Sequence, residues 1–272
     1  MNDLQKKELE ILKEFIRVCD KLKLNYYMAG GSLIGVIRHK GFIPWDDDID
    51  VCMLRKDYEE FLKKAQPLLK KNYFLQTYET EPGYTGNFAK IRDSKTTFIE
   101  SSVKKHKINH GIYIDIFPLD NRYKYNKIKL KLLDCQIYKT YTLDFKKTFK
   151  YRIKLLISNM IYGRKTTSEI CRLKDRIFTK KNNIKMDKCI CYSGAWGIEK
   201  ETHYISDFED TIKKQFEDVI VTIPKGYDRV LKDTYGDYMQ LPPIEKRKPH
   251  HYSEIIDTKK SYLKYIDEDK KQ

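Results

Sequence analysis

The chain has 272 residues, 40% of them hydrophobic, and carries 54 Lys and Arg against 39 Asp and Glu, a formal net charge of +15. This allows a sizeable core in one large domain or two small ones. No apolar run is long enough to span a bilayer, the polar start Met1–Glu8 carries no export core, and the six Cys form no Cys-x-x-Cys pair. A cytoplasmic protein is expected, soluble or peripheral at the inner face of a membrane.

Residues 3–23 read as a helix with Leu4, Ile11, Phe15, Val18 and Leu22 near one face. Tyr26–Ala29 reads as a strand running into Gly30-Gly31-Ser32, then a short helix over Leu33–His39. Glycines let backbone approach a ligand, and a helix start offers free N–H groups to a phosphate. Gly41 ends that helix, Pro44 keeps it from restarting, and Trp45 is expected to pack the loop that follows. Next come Asp46-Asp47-Asp48-Ile49-Asp50, four carboxylates in five residues. Folded proteins rarely gather such a run without a cation to neutralise it. Ile49–Leu54 reads as a buried strand, and alternation puts Asp48 and Asp50 on one side and Asp47 on the other. A Gly-Gly-Ser alone marks a turn, and an acidic run alone marks a solvated loop. Joined in this order to an apolar strand, they predict a metal-dependent phosphoryl or nucleotidyl transferase.

Residues 56–70 read as a helix, and 73–78 and 87–92 as strands. Lys90 and Arg92 share a face of the second strand, where they would hold donor phosphates if that face meets the cleft. Gly111–Phe117 is an apolar strand whose single charge, Asp115, is costly there without a cation or donor. It is the candidate third carboxylate. Asp120, beyond Pro118, reads as a cap or turn residue.

Residues 121–190 hold 20 Lys and Arg but 5 Asp and Glu, so the whole positive excess lies there. A localised excess suggests a surface for something anionic. Phe145, Phe149, Ile153, Leu156 and Met160 form a helical stripe with Lys146, Lys147, Lys150 and Lys154 on other faces. Such a helix either packs on its own domain or docks on an anionic membrane or polymer. No RNP-type or zinc-finger signature accompanies the charge, so no nucleic-acid partner is expected, and a basic nucleic-acid-binding module is the remote alternative. After residue 190 the pattern is α/β again, with a strand at 219–223, a helix at 227–235 and the adjacent His250 and His251.

The Gly30-Gly31-Ser32 turn followed by Asp48-Ile49-Asp50-Val51 resembles the nucleotidyltransferase superfamily, with a longer spacer than many members show. The segment Gly30–Val51, Tyr113–Asp120 and Tyr235–Pro243 together are similar to the LicD family. That resemblance implies metal-dependent transfer of a phospho-alcohol, phosphocholine favoured, from a CDP-linked donor such as CDP-choline to a hydroxyl of a cell-surface glycan or lipid-linked glycan, releasing CMP. Fukutin-related proteins, similar in the same motif, transfer ribitol phosphate. The alternative is a nucleotidyltransferase that moves a nucleoside monophosphate from a triphosphate. The expected fold is α/β: a mixed-sheet nucleotidyltransferase core over 1–120, a basic helical section over 121–190, and a C-terminal segment over 191–272 that packs on the core and completes the cleft. Asp48, Asp50 and Asp115 would bind Mg²⁺ or Mn²⁺. Gly30, Gly31 and Ser32 would cradle phosphate, with Arg38, Lys90, Arg92 and Arg247 supplying positive charge. Asp46 or Asp115 would accept the proton of the acceptor hydroxyl.

Overall fold

The structure is a computed structural model that describes residues 1–141 and 148–269. Its elements in chain order are α1 (Asp3–Leu22), β1 (Tyr27–Met28), α2 (Gly30–Ile34), β2 (Asp50–Leu54), α3 (Arg55–Lys64), β3 (Tyr73–Gln76), β4 (Ala89–Asp93), β5 (Thr97–Glu100) and β6 (Ile112–Asn121). Then come α4 (Lys127–Tyr138), α5 (Phe149–Tyr162), α6 (Thr167–Phe178), β7 (Lys188–Ile190), β8 (Thr202–Tyr204), β9 (Thr211–Phe216), β10 (Val219–Pro224), α7 (Tyr227–Tyr235), β11 (Ser253–Asp257) and α8 (Leu263–Asp269). The mixed α/β architecture is the expected fold class.

The main sheet has the order β1-β2-β6-β4-β3, with β7 and β8 continuing from the end of β6. The β2–β6 pair is parallel, and β1–β2, β4–β6 and β3–β4 are antiparallel. Period-two alternation sorts the strands into two faces. Val51, Met53, Ile91, Ile114 and Ile116 join the buried stripe of α1 (Ile11, Phe15, Val18) in the main core. Fully burying each such side chain contributes about 1.5–3 kcal/mol. Asp50, Lys90 and Asp115 therefore lie on the other face.

α1 begins at an Asn2 cap that exchanges hydrogen bonds with Gln5, and ends where Lys23 turns left-handed. The helix after β1 starts at Gly30, earlier than the expected Leu33, and widens into a π-helical turn over Gly35–His39. β6 runs on through Pro118, beyond the expected end at Phe117. β4 pairs with β6 only as far as Ile116, so at Pro118 one edge is open and the missing N–H is tolerated. Asp120 is thus a strand residue. Arg55 clasps it with two hydrogen bonds of 2.7 and 2.6 Å, and Asn182 adds a third of 2.6 Å. This buried pair replaces the expected turn role.

The hairpin β9–β10 and α7 contribute Phe216, Val221, Ile223 and Leu231 to the main core. The C-terminal segment thereby packs on the first part of the chain. β11 pairs with β5 from Ser253 opposite Glu100 to Asp257 opposite Thr97. That pairing carries His250 and His251 back to the acidic loop. α4 and α6 form a small separate core from Leu133, Ile137, Ile170 and Cys171. Among the described residues, no helix is long and apolar enough to cross a membrane.

Candidate active site

Strand register builds the floor of the site. Asp50 on β2 stands opposite Asp115 on β6, Asp115 opposite Lys90 on β4, and Lys90 opposite Gln76 on β3. The four side chains form one row across the polar face of the sheet. Like charges side by side on neighbouring strands destabilise a sheet. Lys90 offsets this: its Nζ lies 2.7 Å from Asp115 Oδ1 and 3.4 Å from the ring centroid of Tyr113. Burial still pushes Asp50 well above the usual carboxylate range, helped by the charges of Asp48, Asp115 and Asp46. Burial raises Asp115 as well, against the pull of Lys90.

Arg92 shares this face, but it is 1% exposed. Its Nε donates to Gln76 Oε1 at 2.6 Å and its Nη1 to the Gly111 carbonyl at 2.8 Å, with Cζ 4.5 Å from the Tyr113 ring centroid. Those donors are committed to the protein, which places Arg92 inside the wall of the site rather than on the open face expected for a phosphate ligand.

The acidic loop crosses above the row. Gln5 pins it from α1 through Nε2, which donates to the Asp46 carbonyl at 3.0 Å and the Ile43 carbonyl at 3.4 Å. Asp46, Asp47 and Asp48 each offer a carboxylate oxygen, all within 4.8 Å of one another. Among the described residues this is the triplet of acidic, His or Cys side chains that converges so closely; Asp50 and Asp115, expected to join Asp48, stand opposite each other in the sheet row, with Lys90 on Asp115. Alternation did not turn Asp47 away, because β2 begins only at Asp50 and the residues before it are loop. Asp47 instead receives the backbone N–H groups of His250 (3.0 Å) and His251 (3.1 Å), and its Oδ1 lies 3.4 Å from His251 Nδ1.

Charge in this loop is strongly perturbed. Burial, then the charges of Asp48 and Asp47, push Asp46 up to about 8. Burial raises Asp48 to about 6, although His251 and Lys90 pull against it. Burial would also raise Asp47, but the hydrogen bonds from His251 and His250 prevail and its carboxyl titrates below the usual range. Burial lowers His251, but Asp47 and Asp48 outweigh it and bring it to about 9.

The two glycines make this packing possible. Gly30 has φ +55°, and a Cβ there would lie 2.6 Å from Asp50 Oδ2; a Cβ on Gly31 would lie 2.8 Å from Asp46 Oδ2. The space above the glycines, expected to admit a phosphate, holds the carboxylates of Asp50 and Asp46. Ser32 Oγ accepts the Asp50 N–H at 3.0 Å, so this hydroxyl ties α2 to β2.

Residues 23–155 match the family model described as LicD/FKTN/FKRP, nucleotidyltransferase domain. The chain is 33% identical over 256 residues to the lipopolysaccharide cholinephosphotransferase LicD of Haemophilus influenzae, a match covering 90% of this chain and 94% of that protein. The chain belongs to the LicD family. An uncharacterized protein of Rickettsia prowazekii is 25% identical over 132 residues, covering 44% of this chain and 47% of its own length.

In this LicD-family chain, two candidate arginines are tied to the C-terminal segment. Arg38 Nη1 donates to the carbonyls of Tyr238 (2.5 Å) and Gln240 (3.2 Å), which anchors the C-terminal segment. Burial, and the positive charge of Arg247, lower the Arg38 pKa. Arg247 lies with Cζ 5.4 Å from the Trp45 ring centroid and donates from Nε to the Pro242 carbonyl at 2.8 Å. Trp45, Asp46, Asp47, His251 and Tyr252 line a cleft of about 700 Å³. A second cleft of about 910 Å³, lined among others by Arg122, Lys124, Lys188 and Lys200, shares no residue with it.

Two further groups belong to this site and were not among the candidates. His251 was visible only as half of a His-His pair, and its chain return to Asp47 depends on β5–β11 pairing. Glu8 is buried on α1, and its Oε2 has no hydrogen-bond partner. Burial first, then the charges of Asp48, Asp47 and Asp46, push it far above the usual carboxylate range. Its signal lay in the sequence: Glu8 occupies the slot between Leu4 and Ile11 in an apolar helical stripe.

The donor set suits a hard divalent cation. Asp46, Asp47 and Asp48 offer oxygen ligands only, and the raised carboxyls are those a cation would relieve.

Proposed function

We propose that this protein transfers phosphocholine from CDP-choline to a hydroxyl of a lipopolysaccharide-type glycan, releasing CMP. The chain is a phosphotransferase of the LicD family. The observation that carries the finer reading is the crowd of carboxylates, Asp46, Asp47 and Asp115 buried and Asp48 and Asp50 half-buried, next to Trp45 with the Arg247 guanidinium over its ring. Acid groups packed this closely serve a cation better than they serve the fold.

Asp46, Asp47 and Asp48 would hold Mg²⁺ or Mn²⁺, with Asp50 and Asp115 alongside. Such an ion neutralises the cluster and draws charge from a diphosphate. Arg38 and Arg247 orient the donor phosphates. The Trp45 ring offers a face to the base or to the choline ammonium. The acceptor oxygen attacks the phosphorus that carries choline, the bond from that phosphorus to the bridging oxygen breaks, and CMP departs with the electron pair. The acceptor proton passes to a carboxylate. Asp46 is better suited than Asp115, because Lys90 occupies an oxygen of Asp115.

Incubation with CDP-choline, a lipopolysaccharide acceptor and Mg²⁺ should yield CMP and phosphocholine on the acceptor in equal amounts. EDTA or Asp50→Asn should abolish both. Release of pyrophosphate from CTP at a comparable rate, without CMP from CDP-choline, would replace this reading with nucleotidyl transfer.

A further inference from the structure

Helix α5 is built inside out. Its two buried residues are polar or amphipathic, with Leu155 half-buried beside them. Tyr151 donates from its hydroxyl to the Cys135 carbonyl at 2.8 Å. The Ser158 hydroxyl donates to the Leu132 carbonyl at 2.7 Å and accepts from Gln136 Nε2 at 3.0 Å. Tyr151 and Ser158 are the residues of α5 that are buried. Its apolar stripe points the other way. Phe149 and Met160 are each 78% exposed, Leu156 is 61% and Ile153 41%. Ile157 and Ile161 extend the stripe at 40% and 59% exposed, and Ile128 on α4 is 70% exposed. The stripe identified in the sequence therefore does not pack on its own domain among the described residues. Phe145, Lys146 and Lys147 lie outside the described residues.

Exposed apolar stripes of this size mark interaction surfaces. At about 100° per residue, Phe149, Ile153, Leu156 and Met160 fall within an arc of about 60°. Arg152 borders that arc on one side, and Lys150 and Lys154 lie beyond Ile157 on the other. Residues 121–190 carry the whole positive excess of the chain. A second copy of the protein would bring two basic surfaces together, which is unfavourable. An anionic bilayer accepts both features, taking the apolar arc into the acyl boundary and the cations at the headgroups.

We propose that α5 is an interfacial anchor that seats the protein on an anionic lipid surface, with Phe149, Ile153, Leu156 and Met160 inserted below the headgroups. This goes beyond the proposed reaction and does not depend on which phospho-alcohol is transferred. Insertion also distinguishes the anchor from attachment by charge alone, which salt would remove entirely.

The test is co-sedimentation of the full chain with vesicles of phosphatidylcholine, with and without phosphatidylglycerol. Binding should require phosphatidylglycerol and persist in part at high salt. The double substitution Leu156→Asp/Met160→Asp should weaken binding by roughly tenfold or more and leave the circular dichroism spectrum and melting temperature unchanged. In a Leu156→Trp variant, lipids brominated on their acyl chains should quench the added fluorescence. Absence of vesicle binding by the parent chain, or full binding by the double variant, overturns the proposal. So does unfolding of that variant, which would show the stripe to be a packing surface. A concentration-dependent dimer that Leu156→Asp/Met160→Asp dissociates, with no effect on vesicles, would make a second copy the occupant instead.

Discussion

Asp46→Asn separates the electrostatic cost of the acidic loop from its chemical use. Burial and the charges of Asp48 and Asp47 raise Asp46 from 3.8 to about 8. A carboxyl raised on folding binds more protons in the folded state than in the unfolded one. Its destabilising effect is absent below about pH 4 and grows as the pH climbs toward about 8. At about 1.4 kcal/mol per unit, the interval from 3.8 to pH 7 costs on the order of 4 kcal/mol, and that from 3.8 to pH 5 on the order of 1.5 kcal/mol. Asn carries no such cost and can still donate a hydrogen bond to Asp48. Part of the relief is shared, because removing one charge also changes the titration of Asp48. In EDTA at pH 7 the variant should therefore exceed the parent in stability by about 2–4 kcal/mol, read from urea unfolding at equal slopes. At pH 5 the advantage should shrink to about 1 kcal/mol. Mg²⁺ should narrow the gap at pH 7, since an ion at a hundred times its dissociation constant adds about 2.7 kcal/mol to the parent alone. Transfer activity should meanwhile fall by about 100-fold or more, the range for loss of a general base. Equal stabilities in EDTA at pH 7, or the same advantage at both pH values, would refute the reasoning.

Two further outcomes are expected. Gly30→Ala places a Cβ on a left-handed residue and 2.6 Å from Asp50 Oδ2, so unfolding measurements should show a loss of about 1–3 kcal/mol. An unchanged stability would mean that Asp50 is free to move away. His251→Ala removes a group raised to about 9 that holds Asp47. The stabilisation from a raised His is fully present below about pH 6.5 and is lost as the pH rises through about 9. The melting difference between parent and variant in EDTA should accordingly be largest near pH 6 and vanish above about pH 9; a difference constant over that range would assign His251 a packing role only.

What the sequence made legible follows from period and local chemistry. The apolar stripe of α1, the strand around Asp50 and the strand around Asp115 all came from alternation or helical spacing, and all are present. Alternation failed three residues short of the strand: it was extended to Asp47, where the backbone is still loop. Long-range pairing was not legible. Nothing local announces that Ser253–Asp257 adds to Thr97–Glu100, and the clasp of His250 and His251 on Asp47 depends on it. Arg92 shared the face of Lys90 as alternation required, yet the register that sets it opposite Tyr113, within hydrogen-bond reach of Gln76 on the neighbouring strand, decided its burial. The stripe of α5 was read correctly as a stripe. Its direction depends on which side of the helix makes hydrogen bonds to α4, and composition does not encode that.

The site's own charges argue for a donor and a cation that bind together. Two unit charges about 4 Å apart interact by about 4 kcal/mol at the effective dielectric near a protein surface. Asp46, Asp47, Asp48, Asp50 and Asp115 would each repel a diphosphate by a sizeable part of that. Against them the floor supplies Lys90, already engaged by Asp115, and His251, already engaged by Asp47. Arg38 and Arg247 each give a donor to a backbone carbonyl. These cations leave the cleft short of positive charge for a diphosphate unless the triplet Asp46-Asp47-Asp48 is itself neutralised. Protonation can do this, as the raised values of Asp46 and Asp48 indicate, but a protonated Asp46 can no longer take a proton from the acceptor. A divalent cation neutralises the same carboxylates and keeps them ionised. The raised carboxyls of the ion-free protein and the proposed need for Mg²⁺ or Mn²⁺ are thus two consequences of one arrangement, in which the glycines of α2, Gln5 and His251 hold acid groups closer together than their charges alone would allow.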